Sequence, residues 1–220
     1  TLDDNYNQSL AQLGFVVINF AYRGSGPWRG RDFHTFGYGN LRDYALADDM
    51  AAIRQIAARY PCADIERVGI YGHSGGGFMT VAAMLSHPEF YKVGVAASGN
   101  HDNNIYSQWW GETFHGVKQT WGKDGKPHFE CHIPTNIELA DRLAGRLLLI
   151  TGDMDNNVHP ASTARLADAL IRARKRFDMT VIPGADHGLG NSYYVNLIRY
   201  YFTEHLLGLP QQEIDIVKHN

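Results

Sequence analysis

Cysteine is scarce in these 220 residues, with Cys62 and Cys131 alone. They lie far apart, so they allow one disulfide but no framework of them, and they leave the redox compartment open. Long hydrophobic runs are lacking too. Stretches such as Gly14 to Ala21 are the size of a strand, and none approaches the roughly 20 residues of a membrane-spanning helix. No membrane span is therefore expected. Charge of one sign is not in excess either: 20 Lys and Arg stand against 23 Asp and Glu, a net of −3. This removes the basic patch that nucleic acid or an anionic membrane surface would need. Repeats and low-complexity tracts are absent, and Thr1 opens no signal peptide. The length suits one domain with a sizeable core.

Within that domain, strand-like and helix-like runs alternate, which predicts a mainly parallel α/β sheet. Strands are expected near 15–21, 67–72, 93–97, 147–151 and 178–183. They are apolar throughout, as strands covered on both faces should be. Helices are expected near 43–60, 76–87, 161–175 and 191–206. In the third of these, Leu166, Ala169, Leu170 and Ala173 share one face at helical spacing while Arg165, Arg172 and Lys175 face water. Two segments break the alternation, 23–40 and 101–142. Long irregular stretches leaving strand ends are read as functional loops or lids.

The chemistry concentrates at Gly72-His73-Ser74-Gly75-Gly76. A serine set between glycines, with a strand before and a helix after, is the context of a nucleophile elbow. A Cβ on the flanking glycines is expected to crowd so sharp a turn. The helix N-terminus, with its unpaired N–H groups, then faces the hydroxyl and favours a developing oxyanion. The competing nucleotide reading fails on spacing: G-x-G-x-x-G is not matched, no acidic residue ends a following strand, and no Lys-Ser/Thr pair makes a phosphate loop.

A serine hydroxyl needs a base, and the base needs a carboxylate to orient it. In this arrangement the chain order is Ser, then Asp or Glu, then His, each after a strand. His187, on the loop leaving the 178–183 strand and followed by Gly188, is the better base. Its rival His159 is read as a loop-packing residue. Asp153 and Asp155 share the loop after the 147–151 strand. One should orient His187 and the other should hold the loop through backbone N–H groups; spacing does not choose between them.

Ser74, the Gly-Asp-Met-Asp-Asn-Asn-Val-His stretch from Gly152 and the Asp-His-Gly from Asp186 resemble the catalytic domain of the prolyl oligopeptidase family. The subgroup is that of the dipeptidyl peptidase IV-like serine peptidases. Tyr22-Arg23-Gly24-Ser25-Gly26 is similar to the family's turn after the strand preceding the elbow strand, and the resemblance runs from about Leu13 to Leu206. It implies an α/β-hydrolase fold and a serine peptidase acting on a peptide substrate without a cofactor or metal. It also implies Ser74, Asp155 and His187 as the triad, with the Gly75 N–H as one oxyanion donor. Tyr106, Trp110 and Glu112 fall where the subgroup lines the pocket for the residue before the scissile bond, and Val158 maps onto a wall of it. Two departures stand out. Gly75 replaces a frequent tyrosine, which widens the pocket floor and argues against a strict preference for proline. His73 replaces a tryptophan or other aromatic.

The same resemblance implies that residues 1–220 are the C-terminal catalytic part of a longer protein, without the family's propeller. About three N-terminal strands of the sheet are then expected to precede Thr1, along with a tyrosine-bearing loop that supplies a second oxyanion donor. The third strand would lie beside the elbow strand, so an exposed sheet edge is expected. Either the 15–21 strand closes that edge or a second copy of the chain pairs across it. Export to the periplasm or beyond rests on the resemblance alone. The alternatives are a carboxylesterase or acylaminoacyl hydrolase, since the triad also cleaves esters, or a catalytically impaired fragment. The cluster His128, Glu130, Cys131 and His132 matches no metal-site spacing and is read as a polar lid segment.

Overall fold

The structure is a computed structural model that describes residues 5–190 and 192–210. In chain order the elements are α1 (Asn5–Gln12), α2 (Arg31–His34), α3 (Leu46–Arg59), β1 (Val68–His73), α4 (Gly75–Ser86), β2 (Tyr91–Ala97) and α5 (Gln108–Phe114). They continue with β3 (Lys118–Trp121), β4 (Pro127–Glu130), β5 (Arg146–Gly152), α6 (Ala161–Arg172), β6 (Asp178–Ile182) and α7 (Ser192–Leu207). Short 3₁₀ turns interrupt the loops at Pro27–Arg29, Thr35–Gly37 and Ile137–Arg142. The helix expected near 191–206 matches α7, residue 191 itself lying outside the described residues.

The main sheet is parallel and four-stranded, in the order β1-β2-β5-β6. Its register sets Gly72 beside Ala96 and His73 beside Ala97, then Ala97 beside Ile150 and Gly152 beside Ile182. The ends of β1, β5 and β6 therefore open on the same rim of the sheet, where ligands of open α/β sheets bind.

Both faces of the central strands β2 and β5 are covered, which is why these two read as continuous apolar runs rather than alternating ones. Leu147 and Leu149 of β5 join Leu46, Met84, Leu85, Leu166 and Leu170 in one core cluster. Leu148 and Ile150, pointing the other way, join Leu10, Val95, Tyr194, Ile198 and Phe202 in a second. Helices α3, α4 and α6 thus pack on one face, and α1 and α7 on the other. Helix α4 is apolar all round, with Val81, Ala82, Ala83, Met84 and Leu85 at 0% exposure. It is the innermost helix, and it carries the elbow.

Two expectations need correction. Residues 15–21 are not a strand: they run without ladder hydrogen bonds and are only partly buried. A strand exists by pairing, not by local propensity. The edge this segment would need, β1, pairs with β2 alone among the described residues. Between the two lies a cavity of about 380 Å³, bounded by Phe15, Val17, Ile70, Phe202 and Leu206 among others. The 15–21 segment therefore leaves the edge of the sheet open. Residues 101–142 are likewise not irregular. They hold α5, whose start is capped by the Ser107 hydroxyl accepting from the Trp110 N–H, and the antiparallel hairpin β3–β4. The signals were short and embedded in polar sequence, which hid their periodicity.

Candidate active site

Strand β1 delivers the elbow. Ser74 adopts φ 60° and ψ −122°. A side chain is rarely tolerated there, and such strain collects where geometry must be held against local preference. The turn closes with the Ser74 N–H on the Ala97 carbonyl and the Phe78 N–H on the Ser74 carbonyl, at 2.8 and 3.0 Å. At Gly72 a Cβ would stand 2.3 Å from the Gly76 carbonyl oxygen, so glycine is required. At Gly75 and Gly76 a Cβ would meet nothing within 4 Å, which corrects the expectation of crowding on both sides. Gly75 opens α4, so its N–H belongs to the first turn, where backbone donors lack intrahelical partners.

The loops after β5 and β6 bring the other two groups to Ser74. His187 Nε2 lies 2.9 Å from Ser74 Oγ, and His187 Nδ1 lies 2.8 Å from Asp155 Oδ2. The Asp155 side chain has no exposed surface and that of His187 retains 21%. The second oxygen of Asp155 accepts the N–H groups of Asn157 and Val158, at 3.0 and 2.9 Å. A carboxylate fixed by two backbone donors cannot swing away from the imidazole, and charge-assisted bonds of this kind are the strong ones. Gly152 is again a necessity: a Cβ there would lie 2.2 Å from the Ala185 carbonyl oxygen, so only glycine lets the two loops approach.

The two aspartates left open by spacing separate cleanly. Asp153 is exposed and accepts the Gly184 N–H at 2.6 Å, tying its loop to the turn before His187. His159 is exposed and accepts the Ala161 N–H, at the start of α6.

Tyr106 and Trp110 meet edge to face, with centroids 5.9 Å apart, and Phe114 continues the row 5.2 Å from Trp110. The Tyr106 hydroxyl donates to Asn157 Oδ1 at 2.7 Å. Its pKa is raised, by partial desolvation first and then by the negative charge of Asp155. Glu112 lies on the same helix and accepts from the Gln108 amide. Val158 is buried, with 1% of its surface exposed. Two contacts lay beyond sequence reasoning. Asn157 carries no motif signal of its own apart from its neighbours. The His187 carbonyl oxygen is approached by His73 Nε2 and Ser98 Oγ, for which the unusual histidine at 73 was the one visible sign.

Cys62 and Cys131 are free and exposed. Among the described residues, no group of three or more His, Cys, Asp and Glu side chains could hold a metal ion. His128 and His132 instead face Asp124 and Glu138 at 3.9 and 3.8 Å. No helix among the described residues is long and apolar enough to cross a membrane.

A parallel sheet clad in helices on both faces, with an elbow serine at the rim, defines the α/β-hydrolase class. Residues 2–209 match the model of the prolyl oligopeptidase family, and the chain belongs to that family. Human dipeptidyl peptidase 8 is 29% identical over 198 residues, covering 87% of this chain and 22% of that protein. The mouse protein of the same name is 28% identical over the same coverage. The crystal structure of Porphyromonas gingivalis dipeptidyl peptidase 4 superposes with a TM-score of 0.71 at 26% identity, covering 84% of this chain and 26% of that one. The chain thus spans about a fifth to a quarter of the length of these relatives.

Proposed function

We propose that this chain carries the catalytic centre of a serine peptidase that cleaves short peptides through an acyl-enzyme. One observation carries the reading: Ser74, His187 and Asp155 form an unbroken hydrogen-bonded relay of 2.9 and 2.8 Å that ends on a buried carboxylate. With the Nδ1–H donated to Asp155, the His187 Nε2 lone pair accepts the Ser74 proton as Oγ attacks the substrate carbonyl. The Gly75 N–H faces the oxygen that becomes negative. His187 then returns the proton to the leaving amine, and water repeats the sequence to release the acid. Asp155 stays ionised and holds the imidazole in the required tautomer.

The peptide class rests on family membership and is supported by the aromatic row of Tyr106 and Trp110, tied through the Tyr106 hydroxyl to Asn157 on the loop that carries Asp155. Open space around Gly75 allows a bulkier acyl group and supports the ester-cleaving alternative. The open β1 edge supports a further part of the proposal, association of copies through that edge.

A fluorophosphonate probe should label Ser74 in the folded protein and not in Ser74→Ala. Absence of labelling in folded wild-type protein overturns the reading. Turnover of a dipeptidyl amide identifies the peptidase, whereas turnover of a simple acyl ester alone replaces it with the esterase.

A further inference from the structure

We propose that His73 is a positioning residue for His187, acting through the main chain rather than through the reacting atoms; this rests on the triad reading above. The atom that matters is the carbonyl oxygen of His187. It is an acceptor with two lone pairs, on the one residue whose ring must span Ser74 and Asp155 at once. His73 Nε2 stands 2.5 Å from that oxygen and Ser98 Oγ stands 3.4 Å from it. A carbonyl oxygen cannot donate, so the His73 contact requires the proton on Nε2, and this fixes the tautomer of His73.

Both donors come from rigid parts of the sheet rather than from the histidine loop. His73 ends β1, directly before the nucleophile. Ser98 follows β2, is 0% exposed and is held at φ 46° with its N–H on the Ile150 carbonyl. Among the described residues between β6 and α7, the loop bearing His187 has no strand or helix of its own. Its peptide is therefore pinned to the neighbouring strands by these two side chains. The rings of His73 and His187 also lie 4.7 Å apart between centroids, tilted by 54°. That contact limits how far the His187 ring can rotate about χ1. The same residue thus sets both the height of the His187 backbone above the sheet and the plane of its ring. Because Ser74 directly follows His73 at the end of β1, base and nucleophile share one rigid reference, which is the condition for a constant Oγ to Nε2 distance.

Two substitutions separate the hydrogen bond from the packing. His73→Gln places an amide N–H near the original Nε2 and removes the ring. His73→Phe keeps a ring and removes the donor. The rate of labelling by a fluorophosphonate at saturating probe, and the probe concentration for half-maximal rate, are measured for each. The expected result is a fall of about tenfold in the maximal rate for His73→Phe with an unchanged half-saturation, and recovery to within about threefold of wild type in His73→Gln. A normal rate in His73→Phe, or an equal loss in both variants, overturns the role. The second measurement uses the wild-type protein and no chemistry. Long-range ¹H–¹⁵N spectra of the histidine rings, recorded at alkaline pH, should show His73 as the Nε2–H tautomer. The Nδ1–H tautomer overturns the proposal even in a protein that labels normally. A wild-type protein that fails to label, yet shows the Nε2–H tautomer, fails the peptidase reading instead.

Discussion

Asp153 and Asp155 are two residues apart on one loop, identical in chemistry, and divided only by which way the chain turns. Asp155→Asn should lower the rate of Ser74 labelling by about three to four orders of magnitude, because the amide favours the wrong tautomer of His187. Its Oδ1 can still accept the N–H groups of Asn157 and Val158, so the melting temperature should hold within a few degrees. Asp153→Ala should do the reverse, losing about 1 kcal/mol of stability with the Gly184 N–H bond while the chemistry survives. Labelling kinetics and thermal melts on both variants check the division. This pair also marks how far residues could be read from the chain alone. Ser74 and His187 were legible because the elbow and the order of loops constrain them. The choice of aspartate depended on loop register, which spacing does not encode. His101 makes a second prediction at this scale. It is 0% exposed, its Nε2 has no partner, and burial lowers its pKa from 6.5 to about 3. Between those values the unfolded chain binds a proton that the folded one refuses. The contribution is therefore complete above about pH 6.5 and is lost as pH falls, by about 1.4 kcal/mol per unit within the window. Urea unfolding at pH 7 and pH 5 should show this loss, and His101→Gln should flatten it.

Among elements, α4 answers most directly to its sequence. Its first turn tolerates a side chain at 76, whereas the end of β1 that feeds it forbids one at 72, although the motif presents both as glycine. Gly72→Ala should cost several kcal/mol or prevent folding, since two backbone segments would have to part. Gly76→Ala should be neutral or stabilising by up to about 1 kcal/mol, through helix propensity. Circular dichroism melts of the two variants check the asymmetry; equal effects would refute it. The central strands β2 and β5 were legible because strands buried on both faces must be continuously apolar. The 15–21 run satisfied the same rule and yet forms no strand, because composition reports burial and not a partner. Helix α5 and the β3–β4 hairpin failed in the opposite sense. They are real, but their exposed positions, Trp109, Trp121 and Phe129 among them, follow no clean period.

For the molecule as a whole, the two edges of the sheet differ. Beyond β1 the sheet meets a cavity of about 380 Å³ and an extended segment that does not pair with it. An edge of this kind is a template for another strand. Size-exclusion chromatography with light scattering should show mass rising with concentration, and a clean monomer across the range would dismiss association through this edge. The backbone of Ser74 has a consequence that concerns the molecule's endurance rather than its chemistry. A side chain at φ 60° is uphill by about 1–3 kcal/mol, whichever side chain it is. Glycine is free of that burden. Ser74→Gly should therefore melt at a higher temperature than Ser74→Ala, although glycine at an ordinary position is the weaker choice by about 0.5–1 kcal/mol. If so, the serine is a standing handicap to survival of the fold, and the most durable version of this protein is one that has given up its nucleophile.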